Sequence, residues 1–211
     1  MKNKLLKTSL VALLGLGVLN ATAFEPTLNK EYIEINQAPV TQKEVVEFFS
    51  FYCPHCYDFE EKYKIPTAIK EKLPEDVKLV QYHVSFLGSK SKLLTQAWSL
   101  AIALGVEDKV KTPLFKAVQK DYSIHSMDDI KKIFIENGIS EAQFDSGINS
   151  FLVNGLTAKQ ENLADSLNVM GVPAFFVNNK YEIKMEGFSD SRSNKEFIQR
   201  YIDSVISLSK K

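Results

Sequence analysis

Apolar residues dominate residues 45–51 (Val-Val-Glu-Phe-Phe-Ser-Phe), and a second stretch rich in them, interrupted by single polar residues, spans 77–86. Short continuous runs rich in Val, Phe and Tyr predict strands buried on both faces. A shorter strand is expected at 31–35. From Pro54 onward the spacing turns helical, with Pro66 expected to kink or interrupt the helix and Leu73-Pro74 to end it. Between about 87 and 161 helical patterns follow one another at 91–104, 109–120, 127–137, 141–149 and 151–167, and Gly105 and Gly138 supply stops. Strands resume at 174–178 and 181–185, around the hairpin signal Asn178-Asn179-Lys180, and an amphipathic helix at 194–208 closes the chain. This order predicts an α/β fold interrupted by a helical lobe.

One apolar run does not belong to that fold. Lys2, Lys4 and Lys7 precede an apolar stretch at 10–19 and a small-residue sequence, Ala21-Thr22-Ala23. The arrangement predicts an export signal at 1–23, removed after Ala23, because the stretch falls short of the ~20 residues a spanning helix needs. The rest of the 211-residue chain is long enough for one domain or one domain with an insertion. The chain carries 26 basic and 26 acidic residues, and removal of the three signal lysines leaves the remainder acidic, which argues against a nucleic-acid partner.

Export changes the meaning of the two cysteines, Cys53 and Cys56, because an oxidising compartment favours pairing. They can pair only with each other. A structural cross-link gains most by closing a long loop, and this one closes a very short one, so chemistry explains the pair better than stability. At the end of a buried strand and the start of a helix, Cys53 faces free N–H groups and the positive end of the helix dipole, which favour a thiolate. Cys53 is therefore expected to be the nucleophile and Cys56, one turn on, the less exposed resolving thiol. Pro54 suits a first helical turn. His55 can stabilise the Cys53 thiolate, the alternative being a solvated turn residue. A zinc site would need a second pair of ligands, and the scattered histidines do not supply one at ligand spacing.

The stretch Phe-Phe-Ser-Phe-Tyr-Cys-Pro-His-Cys-Tyr at 48–57, together with Gly-Val-Pro-Ala-Phe-Phe-Val-Asn at 171–178, resembles the DsbA family of periplasmic thiol:disulfide oxidoreductases. Tyr82-His83-Val84, Leu94-Thr95-Gln96-Ala97-Trp98 and the stretch 103–110 are similar too. The resemblance implies a thioredoxin fold with an inserted helical domain, divided as 24–86 plus 162–211 for the thioredoxin-like part and 87–161 for the insert. It implies a disulfide donor that needs no metal or organic cofactor. The donor acts on reduced, unfolded exported proteins in the periplasm, as a monomer, and is reoxidised by a membrane oxidase of the DsbB type. Pro173 would be a cis-proline beside the cysteines, and Val172 would offer its backbone to an extended substrate segment; the sequence by itself leaves an ordinary trans turn open.

Glu47 is an ionisable side chain inside an apolar strand, where a carboxylate must be paired or protonated. One reading, supported by the resemblance, is a proton acceptor and donor for Cys56; the other is a strand-edge charge paired with a lysine. Some relatives carry a lysine just before Tyr-His-Val where this chain has Gln81, so a pairing of Glu47 with that lysine is not available here. His83 is expected to be a hydrogen-bonded core residue and His125 a surface loop residue. Trp98, Phe115 and Phe134 are expected in the core, as is most of the run Phe48, Phe49, Phe51 and Tyr52, whose end is a candidate apolar rim beside Cys53. Two further functions fit a Cys-X-X-Cys chain: an isomerase or reductase that keeps its pair reduced, and a peptide-binding module whose cysteines only brace a groove.

Overall fold

The computed structural model describes residues 24–37 and 42–211; the expected export segment and its cleavage site lie outside them. Five strands form one mixed sheet in the order β1-β5-β4-β2-β3. They are β1 (Tyr32–Glu34), β2 (Glu44–Phe49), β3 (Lys78–His83), β4 (Ala174–Val177) and β5 (Tyr181–Ile183). β2 is an interior strand, parallel to β3 and antiparallel to β4, and Val45 to Phe49 are all buried. That explains why its sequence is apolar without alternation.

After β2 the chain enters α1 (Pro54–Tyr57), runs through a π-helical turn at Asp58–Lys62, breaks, and resumes as α2 (Ile65–Lys72). The expected interruption is present but falls before Pro66. Lys64 takes a left-handed conformation (φ 52°), and Pro66 lies in the first turn of α2, where its missing N–H costs no helical hydrogen bond. The lobe between β3 and β4 is α3 (Ser91–Leu104), α4 (Glu107–Gln119), α5 (Met127–Glu136), α6 (Glu141–Ile148) and α7 (Phe151–Ser166). Ser126 and Ser140 open α5 and α6 with capping boxes to Asp129 and Gln143. Gly105 ends α3 at φ 65°. Asn178 and Asn179, both at positive φ, form the turn between β4 and β5, and α8 (Asn194–Ser209) closes the chain.

Alternating residues of the sheet feed two layers. Val45, Phe175 and Val177 pack with Ile65 and Ile69 of α2 and Tyr201, Val205 and Leu208 of α8; Val46, Phe48 and Phe176 pack with Leu167 and Val169 beyond α7. The lobe has a core of its own type, built on Leu94, Trp98, Leu114, Phe115 and Phe134, and this core also takes in Phe49, Phe51, Cys53 and Cys56. The cysteine motif is thus packed at the seam between sheet and lobe. Phe48, Phe49 and Phe51 are fully buried, so only Tyr52 of that run is left for a rim. A buried ion pair, Arg200 to Glu31 at 2.9 Å with Asp190 at 2.7 Å on the other guanidinium nitrogen, fastens α8 to the start of β1. No helix among the described residues is long and apolar enough to cross a membrane.

Candidate active site

β2 ends at Phe49, and Ser50 to Tyr52 carry the chain to Cys53, the N-cap of α1. The cap geometry is extended (φ −86°, ψ 116°), and the Cys56 N–H points at Cys53 Sγ from 3.4 Å. Pro54 occupies the first turn and has no N–H to leave unpaired. The Cys53 thiol is pulled down to about 6 by the hydrogen bond from the Cys56 thiol, the backbone N–H groups of Cys56 and His55, and the field of the exposed His55 imidazole, against the opposing effect of burial. Cys56 is 1 % exposed, and burial with the neighbouring Cys53 sulfur pushes its thiol far above the ordinary range. One sulfur is therefore prepared as a thiolate at neutral pH and the other as a thiol.

The Val172–Pro173 peptide bond is cis, and the Val172 carbonyl lies 3.2 Å from Cys53 Sγ. A cleft of about 480 Å³ opens beside the motif, lined by His55, Phe59, Val172, Pro173, Met185 and Phe197 among others. The structure thus brings Cys53, Pro54, His55, Cys56, Val172 and Pro173 to one place.

Glu47 lies beneath them. It is buried on an interior strand paired on both sides, which removes the strand-edge reading. Burial raises its carboxyl to about 8, the charge of Glu60 adds to the rise, and the Gln81 hydrogen bond and the Lys111 charge oppose it. Gln81 Nε2 donates to Glu47 Oε2 at 2.6 Å and to Glu60 Oε2 at 3.0 Å. Lys111 of α4 donates to Glu60 Oε1 at 3.0 Å and to Gln81 Oε1 at 2.7 Å. Sequence reasoning placed Glu47 but not Glu60 or Lys111; Lys111 has an advance signal in its place on the apolar face of α4 with Val110, Leu114 and Phe115, whereas Glu60 sits among charged neighbours in Asp-Phe-Glu-Glu-Lys.

Two other supports were not anticipated. Gln119 of α4 donates to the carbonyls of Phe51 (2.8 Å) and Cys53 (3.0 Å), fixing the turn that carries the nucleophile. Gly88 (φ 96°) lets the loop after β3 lie against the Tyr52 ring, where a Cβ would come within 2.3 Å of a ring carbon.

His83 is in the core, as expected, and His125 is exposed. The Phe51 N–H donates to His83 Nε2 at 3.2 Å, and Nδ1 lies 2.8 Å from Thr95 Oγ1, whose own hydroxyl donates to Ser91 O. These partners need a neutral ring with its proton on Nδ1. Burial lowers the imidazole to about 3. The unfolded chain binds this proton first, near pH 6.5, so the contribution of the neutral ring is complete above that pH and is lost as pH falls toward 3. His83→Gln is expected to remove up to about 1.4 kcal/mol per pH unit from the acid slope of stability. Denaturant unfolding of both proteins between pH 6.5 and 4 checks this, and equal slopes would contradict it.

Among the described residues, no group of three or more His, Cys, Asp or Glu side chains is arranged to hold a metal ion. The arrangement is one for exchange between thiols and disulfides. Comparison with known proteins agrees. Residues 44–201 match the family described as the DSBA-like thioredoxin domain. The thiol:disulfide interchange protein DsbA of Haemophilus influenzae is 53% identical over 191 residues, covering 88% of this chain and 93% of that one. That of Salmonella typhimurium is 48% identical over 186 residues, covering 88% and 89%. The structure of Proteus mirabilis DsbA in complex with a non-covalently bound peptide superposes with a TM-score of 0.84 at 42% identity, covering 89% of this chain and 100% of that one. The chain has the thioredoxin fold with a helical insertion, belongs to the DsbA family, and is a thiol:disulfide oxidoreductase.

Proposed function

We propose that this oxidoreductase works as a disulfide donor in the periplasm. A thiolate of a reduced, exported protein attacks Cys53 Sγ, the Cys53–Cys56 bond breaks, and Cys56 leaves as a thiolate that takes up a proton. A second substrate thiolate then attacks the substrate sulfur of the mixed disulfide and releases Cys53. Two electrons pass from substrate to enzyme, and a membrane oxidase of the DsbB type removes them again. His55 favours the Cys53 thiolate as leaving group, Val172 and Pro173 present backbone to an extended substrate segment, and Glu47 exchanges the Cys56 proton. The cleft beside His55 and Pro173 is the surface on which a peptide of either partner would lie, and the Proteus mirabilis relative holds the peptide PWATCDS.

The observation that carries this reading is the unequal preparation of the two sulfurs. A thiol at about 6 stabilises the reduced pair at neutral pH, which makes the disulfide easy to give away. At pH 7 the thiolate exceeds the thiol about tenfold, and the equilibrium with glutathione is expected to favour the reduced pair by about that factor over an ordinary thiol. Thiol trapping of the mature chain in graded glutathione buffers measures it, and the pH dependence of the equilibrium constant is expected to change slope near pH 6. A pair that stays oxidised into strongly reducing buffer would replace the donor with a reductase or a structural disulfide.

A further inference from the structure

We propose that Lys111, on the helical lobe, is a positioning residue of the redox reaction: through Gln81 it orients and charges the buried cluster that lets Glu47 accept the Cys56 proton. The inference rests on the reading of Glu47 as the proton partner of Cys56 and adds to it the group that controls that partner.

The geometry leaves little freedom. The Lys111 side chain is 7% exposed and the Glu60 side chain 13%. An ammonium has only donors, so the Gln81 amide must turn its oxygen to Lys111 and its NH₂ to the carboxylates. The observed contacts obey this: Lys111 Nζ lies 2.7 Å from Gln81 Oε1, and Gln81 Nε2 lies 2.6 Å from Glu47 and 3.0 Å from Glu60. The carboxylates draw the NH₂ side toward themselves and the ammonium holds the oxygen from the opposite side, so Lys111 tightens an orientation in which the flipped amide would set an oxygen against a carboxylate. Lys111 thus acts on Glu47 twice, by its field and by fixing a hydrogen-bond donor toward the ionised form. A solvent-open cleft of about 260 Å³, lined by Glu60, Gln81, Lys111, Lys70 and Asp108, reaches the outer side of the cluster and offers the proton a way to water.

The groups facing Glu47 come from every element around it: Cys56 from α1, Glu60 from the π-helical turn, Gln81 from β3, Lys111 from α4 and Tyr201 from α8. Lys111 is the one cation among them. Glu107, on its own helix, also feels it, and the Trp98 ring lies 5.9 Å from its Nζ. In the step concerned, the Cys56 proton passes to the Glu47 carboxylate, and the Cys56 thiolate attacks Cys53 Sγ of a mixed disulfide. The enzyme disulfide forms, the Cys53–partner bond breaks, and the partner departs as a thiolate.

The test uses the reduced mature protein and oxidised glutathione, quenched with acid and read by mass spectrometry. This separates glutathione addition to Cys53 from the first-order Cys56 attack that follows. In Lys111→Met and Lys111→Gln the pH midpoint of the second step is expected to move up by about one unit, slowing it roughly tenfold at neutral pH, while the first step keeps its profile. Lys111→Arg is expected to keep the wild-type midpoint, and Gln81→Lys added to Lys111→Met to restore it. An unchanged midpoint in both neutral variants, with Glu47→Gln abolishing the pH dependence, would overturn the role of Lys111 and leave that of Glu47 standing. A profile that survives Glu47→Gln would remove the proton partner itself.

Discussion

Cys53→Ser is expected to reduce disulfide transfer to the uncatalysed background, whereas Cys56→Ser is expected to stop the reaction halfway with substrate bound to Cys53. The two cysteines are three positions apart and chemically unlike. Cys53 is lowered to about 6 and has its sulfur against the Val172 carbonyl at the edge of a cleft. Cys56 is buried and held as a thiol. A serine hydroxyl forms no disulfide, so the first variant has no bond to donate, and its remaining cysteine is too hidden and too poorly ionised to replace it. In the second variant the ionised nucleophile is intact but nothing resolves its adducts. Oxidation of a reduced two-cysteine peptide, followed by mass spectrometry under non-reducing conditions, distinguishes the cases. Both variants should retain non-covalent affinity for an extended peptide, since the backbone of Val172 and the cleft remain. Full turnover by Cys53→Ser would sink the assignment, and the pair would then only brace a peptide-binding groove.

What the sequence makes legible here is whatever is encoded at short range. The Cys-Pro-His-Cys spacing, the buried run that begins at Val45, the Gly105 stop of α3 and the Asn178-Asn179 turn each depend on residues within a few positions of one another, and each lies where the pattern puts it. The chain break ahead of α2 shows the edge of that legibility. Pro66 marks the region, but the left-handed residue is Lys64, because the π-helical turn before it uses an extra residue that no local pattern announces. The acid cluster lies wholly beyond short range. Gln81 reaches Glu60 across 21 positions, and Lys111 reaches Gln81 across 30 and Glu60 across 51. Gln119 meets Cys53 across 66. A polar side chain on an amphipathic helix has the same appearance in sequence whether it faces water or a buried partner. Only the docking of α4 against the end of β2 decides that Lys111, Phe115 and Gln119 all serve the motif.

The same cluster makes Glu47→Gln an expected gain in stability with a loss of function. In the folded protein the Glu47 carboxyl is raised to about 8 by burial and by Glu60; in the unfolded chain it returns to 4.5. Between those values the folded state holds the proton and the unfolded state releases it, so the stability associated with this group is complete below about pH 4.5 and declines as pH rises through 8. Each pH unit costs about 1.4 kcal/mol, which amounts to roughly 3 kcal/mol at pH 7, reduced to the extent that the surroundings relax. An amide carries no proton to lose, and its oxygen can accept the Gln81 N–H that Glu47 Oε2 now accepts. Glu47→Gln should therefore match the reduced wild-type protein near pH 4, exceed it progressively above pH 5 and keep the margin at pH 9. Urea unfolding across that range measures the difference, and a variant less stable than wild type at pH 8 would mean that the carboxylate is compensated in place by Lys111 and Gln81. The gain would come with slower attack by Cys56, whose proton would have lost its acceptor. An ionisable group that costs stability at the operating pH is hard to explain by packing, and exchange of a proton with the neighbouring thiol gives it a use.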